Sequence, residues 1–498
     1  MAEPYRAFCA IMLTEKGAGG MDWDVAVIGG GLLGCFTARE LGRYRLRTAV
    51  LEAREDVCTG ISRANTAVVY AGYDQRPGTL KAAMCVRAAA GFGALCGELG
   101  VRWKGCGSLM VCFGPKGRRS LERKLAQGLQ NGVEGLRLLG REEVLALEPN
   151  LSPAVEAGLW APRAGTVLPW ELCYAAAENA AANGARFCFN APVTGLERAG
   201  EGWRLTAGGG VHTARLVVNC AGLSAAEVRD LACPPAWRIA PTRGEYFVLD
   251  PAEEGLVGRV VFCEPEQGKG FTLVPTVGGA LLAGPTEAEA VGPRDARTTR
   301  SGQRALLDWA ALALPGLPAG RIIRSFGAVR PNPRSVGDAG ADLRGFVIDE
   351  SAPGLLSFVG IKTPGLTCAR ELGEYAARWA AGRLGAAENP DFDPRRTPPL
   401  RMADLSPGAR AEAVARNPAY GAILCPCCTV SEGEVLDALA ADPPAVTLDG
   451  VKRRTGAGLG RCQGARCGCA GLELLSRRLG VPLDRVTAAG PGTRLLEP

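Results

Sequence analysis

The chain has 498 residues, a mass of 51.9 kDa and a formal charge of +6, from 57 Lys and Arg against 51 Asp and Glu. Hydrophobic residues make up 47%, which excludes a disordered or collagen-like chain, and the slight positive charge does not indicate a nucleic-acid partner. No run of 18 or more apolar residues occurs, so we expect no transmembrane segment. The expected location is the cytoplasm, with any membrane contact peripheral and made through a partner.

Residues 1–20 lack the charged-then-apolar layout of a signal peptide and are expected to form a flexible extension before Met21. The chain contains 19 Cys but a single His, His212. An odd cysteine count in a large chain without a signal layout argues for reduced thiols rather than a disulfide framework. His212 lies in a polar stretch that predicts an exposed hairpin, away from any chemistry.

The first predicted elements form a strand–turn–helix–strand unit. The run DVAVI at 24–28 predicts a buried parallel strand, and GGGLLG with the pattern that follows predicts a tight turn and a helix through Leu41. A second apolar run, 48–51, predicts the next strand and ends at Glu52. This order is typical of a dinucleotide-binding unit.

The turn carries the spacing G-x-G-x-x-G at Gly29, Gly31 and Gly34. The first glycine permits the tight turn, the second lets a pyrophosphate approach the backbone, and the third allows helix and strand to pack closely. The phosphates are expected at the helix N-terminus, and Glu52 is placed to accept hydrogen bonds from ribose hydroxyls. The motif alone does not distinguish NAD from FAD.

The later elements are predicted from composition and periodicity. Residues 386–420 are rich in Pro, Asp and Arg and predict a linker, and the last 78 residues, 421–498, form a cysteine-rich module. The other predicted elements are a helical, charged stretch at 116–150, a helix at 170–183, strands over 186–220, a β-rich part at 240–290 with turns at 268–270 and 278–279, and a helix from near Gly365 to about Leu384.

The module contains two thiol pairs, Cys425-Pro-Cys427 and Cys462-x4-Cys467. Four thiolates from two turns satisfy a [2Fe–2S] cluster, and the basic residues between the pairs offset its negative charge. Structural zinc sites usually pair their ligands as C-x2–4-C, so C-x-C is a poorer fit to zinc, and a metal-free module is a third possibility.

Between the pairs, Ser431 and Glu434 form an S-x-x-E capping box that predicts a helix directly after the first pair. Cys428 and Cys469 are surplus to a four-thiolate site. Cys428 is adjacent to Cys427, so the exact ligand set stays open.

Several segments resemble the flavin-binding segments of the D-amino-acid-oxidase-like superfamily, in particular its glycerol-3-phosphate and 2-hydroxyglutarate dehydrogenase branch. The resemblance covers about 21–385. The cysteine module, with KRRTGAGLGRCQG between its pairs, resembles the bacterioferritin-associated-ferredoxin-like [2Fe–2S] domain. The segments of the larger part are GISRANTAVVYAGYDQRPGTLK (60–81), EPNLSP (148–153), RLVVNCAG (215–222), TRGEYFVLD (242–250), GKGFTLVPTVGGALLAGPT (268–286), FGAVRPN (326–332) and GLLSFVGIKTPGLTCARELG (354–373).

The resemblance implies an α/β fold, α+β overall, in which a Rossmann-like FAD-binding domain is interleaved with a β-rich substrate domain and followed by a small helical [2Fe–2S] domain at 421–498. The implied FAD-binding parts are about 21–95, 150–235 and 325–385, and the implied substrate parts are about 96–149 and 236–324.

The same resemblance implies where FAD lies. Gly29, Gly31, Gly34 and Glu52 would bind the ADP half. The implied contacts to the flavin and its phosphates are Ser62, Asn65 and Thr66, and those to the pyrimidine edge of the flavin are Gly360, Lys362, Thr363 and Gly365. A helix N-terminus at that edge stabilises negative charge on reduced flavin.

On the substrate side, Arg330 aligns with an arginine that family members use to hold phosphate or carboxylate, and Lys362 adds a second charge. Arg243 and Arg334 are weaker candidates. Tyr70 stands where relatives commonly carry His, which removes a base or a covalent flavin anchor. Tyr70, Lys362 or a water remain as acceptors of the substrate's hydroxyl proton.

The implied function is that of an FAD-dependent dehydrogenase that oxidises a small anionic substrate and passes electrons through the cluster to a second redox subunit or other acceptor. sn-Glycerol 3-phosphate, oxidised to dihydroxyacetone phosphate, is the expected substrate. A 2-hydroxy acid such as 2-hydroxyglutarate, or an amino or opine acid, is the alternative. A hypothesis of another class is an electron-transfer binding subunit whose substrate site has decayed.

Overall fold

The computed structural model describes residues 21–266, 270–337 and 345–496. The predicted extension at 1–20 lies outside the described residues, and so does most of the turn predicted at 268–270. The described helices are α1 Leu32–Leu41, α2 Leu80–Leu99, α3 Pro115–Gln130, α4 Arg141–Leu147, α5 Pro169–Ala182, α6 Ala225–Asp230, α7 Arg300–Ala313, α8 Ala369–Leu384, α9 Pro407–Arg416, α10 Glu432–Ala440, α11 Leu448–Thr455 and α12 Gly468–Leu479.

The strands are mostly short, and several are buried on both faces. They are β1 Trp23–Ile28, β2 Thr48–Leu51, β3 Val68–Val69, β4 Trp103–Lys104, β5 Ser108–Cys112, β6 Arg137–Gly140, β7 Ala157–Ala161, β8 Gly165–Val167, β9 Arg186–Cys188, β10 Val193–Ala199, β11 Gly202–Ala207, β12 Gly210–Asn219, β13 Trp237–Leu249, β14 Val260–Glu264, β15 Phe271–Pro275, β16 Leu281–Gly284, β17 Ala288–Glu289, β18 Ile322–Ser335, β19 Val347–Ala352, β20 Leu355–Val359, β21 Ile423–Cys425 and β22 Val430–Ser431.

The first sheet contains the predicted dinucleotide unit. Its order is β10-β11-β12-β1-β2-β9, and β20 pairs parallel with β12 and antiparallel with β19. Strand β1 lies between β2 and β12, parallel to both, and its residues Val25 to Ile28 are buried. The predicted strand–turn–helix–strand order is confirmed, and the glycine turn lies at the carboxyl end of a central strand.

The second sheet is the β-rich part expected at 240–290, extended by segments from elsewhere in the chain. Its order is β17-β13-β16-β15-β14-β5-β7-β6. The long strand β18 pairs antiparallel with β13, from Trp237 opposite Ser335 to Leu249 opposite Ile322. This pairing places Arg330 of β18 opposite Thr242 of β13.

Two helix predictions are corrected at their ends. The stretch 116–150 is not helical throughout, because α3 ends at Gln130 and is followed by β6 and the short α4. Gly132 and Gly135 take left-handed φ values of 78° and 72°, which ends the helix. The last helix of the large part, α8, begins at Ala369 rather than near Gly365.

Within the described residues, one helix, α2, is long and apolar enough to cross a membrane by length and composition. Half of the most apolar stretch of this helix is buried inside the fold. Phe92, Leu95 and Leu99 pack in a core cluster with α1 and α5, so this helix is a core element of the folded chain.

The segment predicted as a linker is held against the large part of the protein. The Asn179 amide of α5 donates to the carbonyls of Asp393 (3.0 Å) and Arg395 (2.9 Å), and Arg396 Nε lies 2.6 Å from Glu178 Oε2. The segment also contains a regular helix, α9. The cysteine module therefore follows an anchored connection.

The module itself consists of the hairpin β21–β22 and the helices α10, α11 and α12. The predicted capping box is confirmed. Ser431 Oγ accepts from Glu434 N at 3.3 Å, and the Glu434 carboxylate accepts from Ser431 N at 2.7 Å. This cap fixes the start of α10 directly after the first thiol pair.

Candidate functional site

A cavity of about 1030 Å³ runs between the two sheets and collects most of the predicted site residues. Gly34 and Gly360 lie outside its lining. The predicted residues that line it are Gly29, Gly31, Glu52, Ser62, Asn65, Thr66, Tyr70, Arg330, Lys362, Thr363 and Gly365. A single elongated cavity thus joins the nucleotide turn to the expected substrate groups.

The glycine turn is packed too tightly for side chains. A Cβ on Gly34 would lie 1.8 Å from Gly29 O, and one on Gly29 would lie 2.7 Å from Cys220 O. Gly29 also has φ +105°, a conformation that favours glycine. The bare backbone at the N-terminus of α1 consequently borders the cavity, as a pyrophosphate requires.

Two side chains fix this turn from the cavity side. Glu52 Oε2 accepts from Gly30 N at 2.6 Å, and its Oε1 accepts from Arg54 N at 2.9 Å. Burial raises the pKa of Glu52, and the two backbone donors oppose that rise. Ser62 Oγ accepts from Leu32 N at 2.9 Å. Glu52 therefore braces the turn in addition to lining the cavity where a ribose is expected.

At the other end of the cavity, the segment after β20 forms a tight turn. Gly360 has φ +65°, and a Cβ there would lie 2.6 Å from Pro333 Cδ. The Gly365 N–H donates to Lys362 O at 2.5 Å. Gly360 thus shapes the turn on the side packed against Pro333, while Lys362 and Thr363 line the cavity.

Two cations meet in this region. Lys362 Nζ donates to Asn332 Oδ1 at 2.8 Å, and Arg330 Nη2 donates to Thr286 O at 3.3 Å. Arg330 Nη1 is buried and lies 3.6 Å from Glu287 Oε1, with no hydrogen-bond partner among the described residues. An anion bound in the cavity would supply such a partner.

The residues Gly244 and Asn332 were missed by the sequence reasoning. A Cβ on Gly244 would lie 2.4 Å from Arg330 Nη2, so this glycine makes room for the guanidinium. Asn332 closes the recognised segment FGAVRPN and orients Lys362. Only the second had a signal in the sequence.

Tyr70 lies in an apolar part of the cavity, with its ring 5.7 Å from that of Phe262. Burial raises the pKa of Tyr70 to about 12, and a hydrogen bond with Thr66 opposes the rise. The phenol is therefore protonated at neutral pH, and it suits a hydrogen-bond donor rather than a base.

The weaker candidates lie elsewhere. Arg243 is buried between Asp295 Oδ2 (2.8 Å) and Glu245 Oε1 (3.3 Å), a structural ion pair, and Arg334 is exposed on β18. His212 lies on β12 opposite Leu205 and is half-buried rather than exposed. Burial lowers the pKa of His212.

In the cysteine module, the predicted ligands lie together. Cys427 Sγ is 3.5 Å from Cys462 Sγ, while Cys425 makes hydrogen-bond contact with Cys467 and with the surplus Cys428. The hydrogen bond from Cys428 is the largest cause that lowers the pKa of Cys425 to about 5. Backbone N–H groups of Arg466 and Gly464 lower the pKa of the Cys462 thiol. Thiolates are the form that iron binds.

The thiols stand as two pairs rather than as one converging group. In the described part of the chain, no three His, Cys, Asp or Glu side chains are arranged to hold a single metal ion. In a [2Fe–2S] cluster each iron takes two protein ligands, and two ligands about 2.3 Å from one tetrahedral metal lie roughly 3.7 Å apart. The Cys427–Cys462 separation of 3.5 Å fits one such iron.

These features define a flavin-dependent oxidoreductase joined to an iron–sulfur module. Residues 24–379 match the family model described as FAD dependent oxidoreductase, and residues 423–477 match the BFD-like [2Fe-2S] binding domain. The chain therefore belongs to the FAD-dependent oxidoreductase family, with FAD and a [2Fe–2S] cluster as its cofactors. The resemblance stated from the sequence is confirmed.

One relative covers nearly the whole chain, and others cover part of it. The glycerol 3-phosphate dehydrogenase of Caloramator mitchellensis is 35% identical over 95% of this chain and 98% of its own length. The L-2-hydroxyglutarate dehydrogenase of Escherichia coli O17:K52:H18 is 30% identical over 53% of this chain and 63% of its own length. A solved structure of the dithionite-reduced L-alpha-glycerophosphate oxidase from Mycoplasma pneumoniae with FAD bound superimposes with a TM-score of 0.70, at 25% identity, over 76% of this chain and 99% of that one.

The first prediction concerns the turn. Replacing Gly34 by Ala places a methyl group 1.8 Å from Gly29 O, so strand and helix must separate and FAD should be lost. We expect purified G34A to contain less than about a tenth of the wild-type flavin absorbance. In the matched control G382A, on α8, the new Cβ meets nothing within 4 Å, and flavin content should be unchanged. Full flavin content in G34A contradicts the assignment of the turn.

The second prediction separates two adjacent thiols. C427S should lose most iron and acid-labile sulfide because Cys427 is paired with Cys462, whereas C428S should keep both. Flavin content should be equal in the two variants, since the FAD cavity is lined by other residues. Iron, sulfide and flavin assays on anaerobically purified protein measure this. If C428S loses the cluster and C427S keeps it, Cys428 is the ligand and Cys427 is the surplus thiol.

Proposed function

We propose that this chain oxidises sn-glycerol 3-phosphate to dihydroxyacetone phosphate and passes the electrons through its [2Fe–2S] cluster to a second redox subunit or another acceptor. The proposal rests above all on Arg330, which lies beside Lys362 in the same cavity. Its buried Nη1 has an ion pair with the exposed Glu287 at 3.6 Å but no hydrogen-bond partner among the described residues. The 35% identity over nearly the whole length of a glycerol 3-phosphate dehydrogenase supports the choice of anion.

FAD held in this cavity would supply the hydride acceptor for oxidation of the carbon that carries the substrate's hydroxyl group. The protein's part is to hold the substrate and to exclude water. Arg330 offers a planar fork to the phosphate, and Lys362 is kept in place by Asn332. The roles of Arg330 and Lys362 as anion ligands, and of Tyr70 as a donor to the substrate, belong to the proposal.

The cluster ligands differ in exposure, which suits an exit for electrons. Cys425 is fully buried, whereas Cys427 is exposed and Cys462 is half-buried. The Cys427–Cys462 side of the cluster would therefore meet an acceptor. We propose that the acceptor is a separate protein and that the chain acts in the cytoplasm, with any membrane contact made through that partner.

A 2-hydroxy acid is the second candidate substrate, favoured by the 30% identity to an L-2-hydroxyglutarate dehydrogenase over about half of this chain. Its carboxylate would use the same Arg330 fork. The anion site alone does not distinguish the two substrates.

Anaerobic bleaching of the bound flavin tests the proposal directly. sn-Glycerol 3-phosphate should bleach the yellow holoenzyme within seconds without any acceptor, and L-2-hydroxyglutarate should do so at least about tenfold more slowly. Faster bleaching by the 2-hydroxy acid would show that the 2-hydroxy acid, and not sn-glycerol 3-phosphate, is the substrate. The absence of bleaching by every small hydroxy, amino or opine acid would favour an electron-transfer subunit with a decayed substrate site.

The pH dependence of the reaction tests Lys362. Burial lowers the pKa of Lys362, and nearby Glu287 opposes this shift. The ammonium is charged below that lowered pKa and neutral above it, so kcat/KM should fall as pH rises through it. K362M should lose this fall and bind substrate about tenfold or more weakly, since a hydrogen bond to a charged group contributes about 1.5–3 kcal/mol.

The control for this experiment is K362R, whose side chain stays charged and should move the fall to higher pH. If kcat/KM instead increases as Lys362 loses its proton, and K362R abolishes that increase, the neutral amine of Lys362 is the acceptor of the hydroxyl proton.

A further inference from the structure

A buried charge cluster joins the cysteine module to the dinucleotide-binding part. Asp56, fully buried, follows β2 in the turn that begins with Glu52. Its Oδ2 lies 2.7 Å from Arg454 Nη1 and its Oδ1 lies 2.9 Å from Arg454 Nη2. This bidentate contact links positions 398 residues apart in the chain. A two-pronged Arg–carboxylate pair fixes orientation as well as distance.

The same carboxylate has further partners. Tyr174 of α5 donates from its hydroxyl to Asp56 Oδ2 at 3.2 Å, and Arg453 Nε donates to that hydroxyl at 2.7 Å. The guanidinium of Arg454 lies over the Tyr174 ring, 3.9 Å from its centroid. The side chains of Arg453 and Arg454 are 8% and 5% exposed, so the cluster is shielded from solvent.

On the large part, the turn that carries Asp56 also supports the FAD site. Glu52 accepts from Gly30 N, and Cys58 N donates to Gly30 O at 3.0 Å. The residues that brace the glycine turn and the residue that receives the module are therefore one continuous segment, 52–58.

On the module, Arg453 and Arg454 lie in the last turn of α11. Gly456, with φ +86°, ends that helix and starts the loop that brings Cys462 and Cys467 to the cluster site. The docking residues and the second ligand pair are thus connected by one short loop.

We propose that Arg453 and Arg454 are positioning residues that hold the iron–sulfur module on the 52–58 turn while electrons leave the flavin. This inference rests on the proposed function. Oxidation of the substrate's CH–OH group to a carbonyl releases two electrons and two protons. The hydroxyl proton and the proton of the transferred hydride both pass to solvent, and a [2Fe–2S] cluster holds one electron at a time. The module must therefore stay docked on the 52–58 turn for two successive one-electron transfers in each turnover. The external acceptor takes each electron from the cluster before the next one arrives.

Among the other polar contacts across the same interface, Arg461, which is exposed, pairs with the buried carboxylate of Asp250. Two further contacts are exposed. Arg324 Nη1 donates to Gln463 Oε1 at 3.2 Å at the surface, and Arg63 lies 3.5 Å from Asp449 with both side chains more than a third exposed. Solvent-exposed pairs contribute little, whereas removing one partner of a buried pair leaves an uncompensated charge. At Asp56 both the carboxylate and its arginine partners are buried, so we expect this cluster to contribute most to how the module docks.

The experiment measures two steps separately in the holoenzyme. After anaerobic mixing with sn-glycerol 3-phosphate, flavin reduction is followed by absorbance and cluster reduction by freeze-quench EPR. R454M should reduce its flavin at the wild-type rate and its cluster at least about tenfold more slowly, since loss of a buried charge partner shifts a docking equilibrium by at least that factor. R454K should be intermediate, because it keeps the charge and loses the fork.

The matched control is R324Q, which removes a charge from an exposed contact of the same interface and should leave both rates within a factor of about two. If R454M does not fold, Y174F replaces it. This change removes only the hydroxyl between Arg453 and Asp56 and should slow cluster reduction alone.

The proposal is overturned if the cluster of R454M is reduced at the wild-type rate, or that of Y174F where this variant replaces R454M. It is also overturned if R324Q slows cluster reduction as much as R454M does. Photoreduction of the flavin starts the same transfer without substrate. If the substrate fails but photoreduced wild type and R454M still differ, the proposed function is wrong and the docking role stands. If the two do not differ after photoreduction, the docking role fails by itself.

Discussion

The contact between the glycine turn and the first helix is the constraint on which the rest of the site depends. Strand and helix approach so closely at Gly29 and Gly34 that only backbone fits between them. Burying that backbone requires its polar groups to be satisfied, and Glu52 and Ser62 supply the partners. Strand β12 pairs with β1, and β20 pairs with β12, so the segments that follow these strands reach the cavity from the same sheet as the turn.

The two sheets contribute different chemistry to one cavity. The first sheet presents backbone and small polar side chains, which suit a phosphate-linked cofactor, and the second delivers Arg330 on the long strand β18. Lys362 comes from the first sheet and meets Asn332 from the second, so the cation pair spans the seam between them. An anionic substrate bound there would contact both halves of the protein.

Local features of this chain could be predicted from its sequence. The glycine spacing, the Ser431–Glu434 cap and the thiol pairs each depend on neighbours within a few residues. The end of α3 at Gln130 was missed because glycines in left-handed conformations interrupt an otherwise helical composition. Gly244 beneath Arg330 and Asp56 beside Arg454 depend on packing between distant segments, for which one sequence holds no signal.

The anchored connection before the cysteine module has a consequence for how the protein competes for electrons. Since Glu178 and Asn179 hold the chain at Arg395 and Arg396, only the segment 397–420, which contains α9, connects this anchor to the module. A short tether keeps a carrier beside its donor at an effective concentration on the order of millimolar. At such a concentration the fused carrier would outcompete free carriers at the flavin, so the fusion would favour a single electron route.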